Sequence, residues 1–153
     1  MANPNHVGNL YLDSFGYGLI GKLTAQSLAT TGTAQIKIPL VSGGLTNGGA
    51  TGNSGGVIIR QVTVQNPSGS VASADIGISS VSTGNMGAAN VVVANVTLSS
   101  VSAAGKYQDL TIAYPANTEI TGNQTQALYL NVNTASGNAN TVDIVVYGQV
   151  VAF

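Results

Sequence analysis

From about Ala34 to the last residue, short apolar runs alternate with polar residues at a period of two. Gly, Asn, Ser and Pro interrupt them every ten residues or so. This pattern constrains the chain more than any other feature, because a side-chain period of two belongs to half-buried strands and cannot bury one face of a helix. The runs are "AQIKIPL" (34–40), "GVIIRQVTVQN" (56–66), "SADIGISS" (73–80), "NVVVANVTLSS" (90–100), "YQDLTIAY" (107–114), "TQALYLNVN" (125–133) and "TVDIVVYGQVVAF" (141–153). A short "NTEIT" (117–121) reads as a further pairing segment. The segment closest to helical spacing is "GLIGKLTAQSLA" (18–29), where glycines and β-branched residues make a helix marginal.

The alternation also assigns faces. Ala74, Ile76 and Ile78 fall on one side, Asp75 and Gly77 on the other. Leu128, Leu130 and Val132 point inward, Tyr129 and Asn131 outward. Leu110 and Ile112 oppose Asp109 and Thr111. Several one-sided strands require two sheets packed face to face. About eight antiparallel strands in this length fit an all-β, jelly-roll-like antiparallel β-sandwich. The sequence divides into an extended glycine- and aromatic-rich N-terminal arm (1–33) and a sandwich domain (34–153). The glycine-rich stretch 41–56 reads as a long exposed loop, 66–70 as a turn, and 133–140 as the last connection.

Charge separates function classes. Only 6% of residues are charged, where about 25% is usual. The net charge is -1, so no basic patch exists to neutralise phosphates and nucleic-acid binding is not expected. Weak repulsion between copies favours assembly. The polar start of the chain has neither a secretory signal pattern nor a membrane span, so synthesis and retention in the cytoplasm are expected, with no membrane partner.

Catalytic chemistry finds few parts. The chain has no Cys and one His, His6, in the polar leader. That excludes a thiolate site and an ordinary zinc site, and leaves a nucleophile–His–acid triad without its base. Asp75, Asp109, Glu119 and Asp143 share no motif, and the three aspartates take outward strand positions where they favour solubility or blunt edges. Neither a calcium-loop nor a P-loop pattern occurs. No enzyme activity, cofactor or metal is expected. Arg60 shares parity with Ile58, Val62 and Val64. Two readings fit it: a core-facing Arg60 paired with Asp75 as a structural ion pair, or a bulge that turns Arg60 outward.

The stretches "LYLDSFGYGLIG" (10–21), "IIRQVTVQNPSGSVASADIGISS" (58–80) and "ALYLNVNTASGNANTVDIVVYGQVVAF" (127–153) resemble small β-sandwich decoration, or cement, proteins encoded among the head genes of tailed bacteriophages. The resemblance spans roughly half the chain and includes no catalytic signature. It implies a virion protein on the outer capsid surface, made in the host cytoplasm. Such proteins commonly bind as trimers at threefold positions and bridge subunits of the major capsid protein by non-covalent contact. The family supplies no invariant residues to transfer. With that role, Gly8, Gly16, Gly18 and Gly21 let the leader follow a neighbouring surface, and Tyr11, Phe15, Tyr17 and Leu19 become the expected contact residues. The same side chains also suit capping the open end of their own sandwich.

"VVVANV" (91–96) adds a second argument. It is uncharged and β-branched, a pairing hazard if exposed. Burial in the sandwich or in an oligomer interface resolves it, and a homotrimer is expected. The alternative function is a receptor- or glycan-binding module of a head fibre or tail, contacting its target through loops such as 41–56. A major shell protein of the tailed-phage type needs a longer chain with a long helix, and a small jelly-roll coat usually carries a basic arm.

Overall fold

The computed structural model describes residues 18–40, 56–113 and 127–151. Tyr11, Phe15, Tyr17 and His6, most of the glycine-rich loop (41–55) and the short segment 117–121 lie outside the described residues. There are eight strands and no helix among those described: β1 (Gly18–Ser27), β2 (Gly32–Pro39), β3 (Gly56–Gln65), β4 (Asp75–Ser79), β5 (Val91–Thr97), β6 (Gln108–Leu110), β7 (Ala127–Thr134) and β8 (Thr141–Val151).

They form two four-stranded sheets, β1-β8-β3-β6 and β2-β7-β4-β5, every pair antiparallel. The pairing is nested: β1 with β8, β2 with β7, β3 with β6, β4 with β5. A long antiparallel ribbon rolled on itself has this order, so the sandwich is a jelly roll. Between the sheets lies one core, in which Ile38, Val62, Val64, Ile76, Ile78, Leu128, Leu130, Ile144 and Val146 are fully buried. The inward faces expected for residues 74–78 and 128–132 are all found there.

The edges are handled differently on the two sides. Beyond β6 the chain turns a corner between the sheets: Ile112 bridges Val93, and the Ala113 amide donates to the Val92 carbonyl at 2.7 Å. The Gln108 side chain donates to the Thr97 carbonyl at 3.0 Å. This segment therefore covers the free edge of β5, and Val92 and Val93 sit in the core. The pairing hazard at 91–96 is met within the chain and does not itself require an oligomer. On the other side, β1 and β2 touch through the Gly21–Leu40 bridge. Both strands carry bulges, and Lys22, Lys37 and Pro39 lie on them, features that discourage strand addition.

Three readings of the sequence are decided or sharpened. First, residues 18–27 form a strand, paired along its length with β8, so the sheet reaches back into the segment assigned to the arm. Register shifts between Leu19 and Gly21 and between Leu23 and Gln26 break its alternation. Ile20 and Leu23, on opposite faces in a strict strand, both meet the core because of the first shift. Second, Arg60 occupies a bulge of β3, between Ile59 and Gln61, which moves it out of core parity. Its guanidinium donates to the Gln149 side chain at 3.3 Å. Asp75 lies on β4 in the other sheet, between Thr97 and Thr134, and no ion pair joins it to Arg60 among the described residues. Third, Asn131 takes an outward position but is only 2% exposed, because residues 80–90 fold back over that face.

Ala25 adopts φ 52°, in the left-handed region, at the second β1 bulge. A Cβ is disfavoured there by about 1 kcal/mol. Ala25→Gly is therefore expected to raise stability by about 0.5 kcal/mol after the extra unfolded-chain entropy of glycine is counted. A shift of the urea midpoint to higher concentration at unchanged slope is the check.

Candidate functional site

The two ends of the sandwich differ. At one end, the four connections 28–31, 66–74, 98–107 and 135–140 are tied to each other. The Ser136 amide donates to the Leu28 carbonyl at 2.9 Å, Val71 to Val101 at 3.0 Å and Leu98 to Ala74 at 2.9 Å. The amides of Asn138 and Asn140 both donate to the Ser70 carbonyl, at 2.9 and 3.0 Å. Leu28, Val71, Leu98 and Val101 plug the space beneath. This end is sealed. The odd-numbered strands begin and the even-numbered strands end at the opposite end, so segments 1–17, 41–55 and 114–126 all join the sandwich there.

On the outer face of the β1-β8-β3-β6 sheet, Leu19, at the open-end start of β1, stands opposite Tyr147, and Tyr147 opposite Gln61, both in mid-strand. All three are half-buried and lie outside the core. Opposed residues on antiparallel strands share a face, so they form one row across three strands. The next row runs Lys22, Val145, Thr63, Asp109. Val145 is 2% exposed although it faces away from the core. Here Thr63 and Gln61 both donate to the Asp109 carboxylate, at 2.6 and 3.1 Å.

Asp143 lies one row further on, at an outward position as expected, but it is buried rather than solvated. Its carboxylate accepts from the Ala25 amide at 2.9 Å and the Asn66 side chain at 3.0 Å, and pairs with Lys22 at 3.3 Å. Ala25 and Asn66 are the two non-glycine residues with positive φ among those described. One carboxylate on β8 thus holds a left-handed residue on β1 and another at the end of β3. Burial pushes its pKa up, but the Ala25 and Asn66 hydrogen bonds and the Lys22 ammonium outweigh that and hold it below the usual carboxylate value.

Of the residues expected at a contact surface, Leu19 is placed at this end. Tyr147 beside it was not singled out from the sequence. The signal was present: with Ile144 and Val146 inward, Asp143, Val145 and Tyr147 must face outward. Among the described residues no cluster of three or more His, Asp or Glu could hold a metal ion. The arrangement offers two half-buried side chains, Leu19 and Tyr147, bordered by the hydrogen-bonded Gln61, Thr63 and Asp109, suited to surface contact. Comparison with known protein families, curated proteins and solved structures gives no match.

Proposed function

We propose that this chain is a structural virion protein that binds the outer surface of a tailed-phage capsid and bridges neighbouring subunits of the shell. The observation that carries the reading is the polarity of the jelly roll. One end is tied shut, while the aromatic leader and the long glycine-rich segment join the sandwich at the other, where β1 begins beside Leu19. A module built this way presents one end to a large partner and keeps the other inert. Aromatic side chains at such an end supply area at low entropy cost. A homotrimeric assembly is part of the proposal and rests on the sequence resemblance and on the weak net charge of -1.

The test is the copy number in purified particles, by quantitative mass spectrometry against the major shell protein. A ratio near one supports a lattice-wide cement. A handful of copies, with binding to cells or polysaccharide, supports the fibre or tail adhesin. Absence from the particle overturns both readings.

Removing residues 1–16 leaves every described strand whole. The truncated protein is expected to fold and to lose shell binding. Tyr147→Ala is expected to weaken binding about tenfold, as for a peripheral aromatic anchor. Both are read by co-sedimentation with undecorated shells, and a folded truncation that binds normally removes the leader from the contact.

A further inference from the structure

Residues 80–90, between β4 and β5, form a strap that lies back on the outer face of the β2-β7-β4-β5 sheet. Its base is closed by the Ser80 amide and hydroxyl on the Asn90 carbonyl, at 2.8 and 3.1 Å. Its turn is fastened by the buried Asn131 amide, which donates to the Gly84 carbonyl at 2.9 Å. Ser79 donates to the Asn85 carbonyl at 2.8 Å. Between these points the Met86 side chain rests on Gly77. A Cβ on residue 77 would stand 2.5 Å from the Asn95 Oδ1, 2.6 Å from the Met86 methyl carbon and 3.5 Å from its sulfur. A glycine inside a strand weakens it and marks a close approach. Gly77 sits in the middle of β4, and two side chains approach it: Asn95 from β5 and the Met86 thioether from the strap. Met86 as a whole is half-buried, packed on the sheet and partly open to solvent.

We propose that Met86 is an oxidation-sensitive catch, and that converting its thioether to the sulfoxide releases the strap from the sheet. The oxidant is a peroxide. The sulfur lone pair attacks one peroxide oxygen, an S–O bond forms and the O–O bond breaks. The sulfur is oxidised by two electrons, and the other peroxide oxygen leaves with both protons as water. The product is larger and polar. A polar S–O group on Met86 changes the apolar contact that the thioether makes over Gly77. With the catch lost, only hydrogen bonds hold the strap, and water competes for each of them. Release uncovers Gly77 and the Asn131 amide on the outer face of that sheet.

The sequence has 2 Met, Met86 and the initial Met1, so the chemistry can be followed cleanly. The folded full chain is treated with hydrogen peroxide, the added oxygen is located by peptide mapping, and amide exchange is measured across 80–91. Oxidised protein is expected to exchange the Ser80, Gly84, Asn90 and Val91 amides about tenfold faster, while the sealed end is unchanged. Met86→Leu, which cannot be oxidised, is expected to keep slow exchange under the same treatment. Methionine sulfoxide reductases are expected to restore it in the wild type. Gly77→Ala puts a methyl group into that contact and is expected to free the strap without oxidant; if that variant does not fold, the peroxide comparison still decides. Oxidation of Met86 with unchanged exchange overturns the proposal. So does a Met86 that resists peroxide until the whole domain unfolds.

Discussion

Gly148→Ala is expected to destabilise the sandwich by roughly 3 kcal/mol, the upper range for forcing atoms into a packed site. The melting temperature should fall by about 10 °C for a domain of this size. Gly148 faces the β3 bulge, and an added Cβ would overlap the Ile58 carbonyl oxygen and press on its carbon at 3.1 Å. Both are backbone atoms of the partner strand and cannot swing aside. The Ile20 methyl, 2.9 Å away, closes the other side. Gly105 is the control. It has φ +77° and nothing within 4 Å of an added Cβ, so alanine there costs only the left-handed conformation, about 1 kcal/mol. Thermal unfolding of the two variants separates backbone crowding from backbone conformation. Equal losses would show that the β3 bulge relaxes to admit the methyl group.

Asp143→Asn is expected to cost about 2 kcal/mol at neutral pH, the scale of hydrogen bonds to a charged acceptor. The Ala25 amide, the Asn66 amide and the Lys22 ammonium are all donors, and an asparagine turns its own donor toward one of them. The Lys22 side chain is 41% exposed, so its ion pair adds little, and Lys22→Met should lose no more than about 0.5 kcal/mol. The pH dependence follows from the direction of the carboxyl shift. A folded pKa below the ordinary value means that the stabilisation is complete above the unfolded carboxyl's pKa, about 3.9. It drains away as pH falls through the lower folded value. Urea unfolding at pH 7 and at pH 3 should therefore show the gap between wild type and Asp143→Asn closing at acid pH. A gap that stays constant would assign the loss to geometry and not to charge.

Strands with an unbroken period were legible from sequence, because every inward residue of β4 and β7 reports the same face. β1 was not, since two bulges reset its parity within ten residues and its glycines imitate an irregular leader. Arg60 illustrates the same limit at one position. A bulge is a property of two strands, and the one in β3 faces Gly148 across the sheet, where a side chain would meet the Ile58 backbone. The burial of Asn131 depends on a strap nearly fifty residues away in sequence, at Gly84. At the open end, Leu19 could be named from its neighbours, whereas Tyr147 gained meaning only when β8 was found beside β1.

The nested pairing also fixes an order of events in time. β4 and β5 are neighbours in sequence and can pair as soon as both exist. β1 waits for β8: the Ala25 amide meets Asp143 across 118 residues of chain. Closing such distant contacts spends loop entropy before any burial repays it, which puts folding of this topology in the range of about milliseconds to seconds. β1 pairs along its length with β8, the last of the eight described strands to be made, so the first strand is expected to complete its sheet late in synthesis.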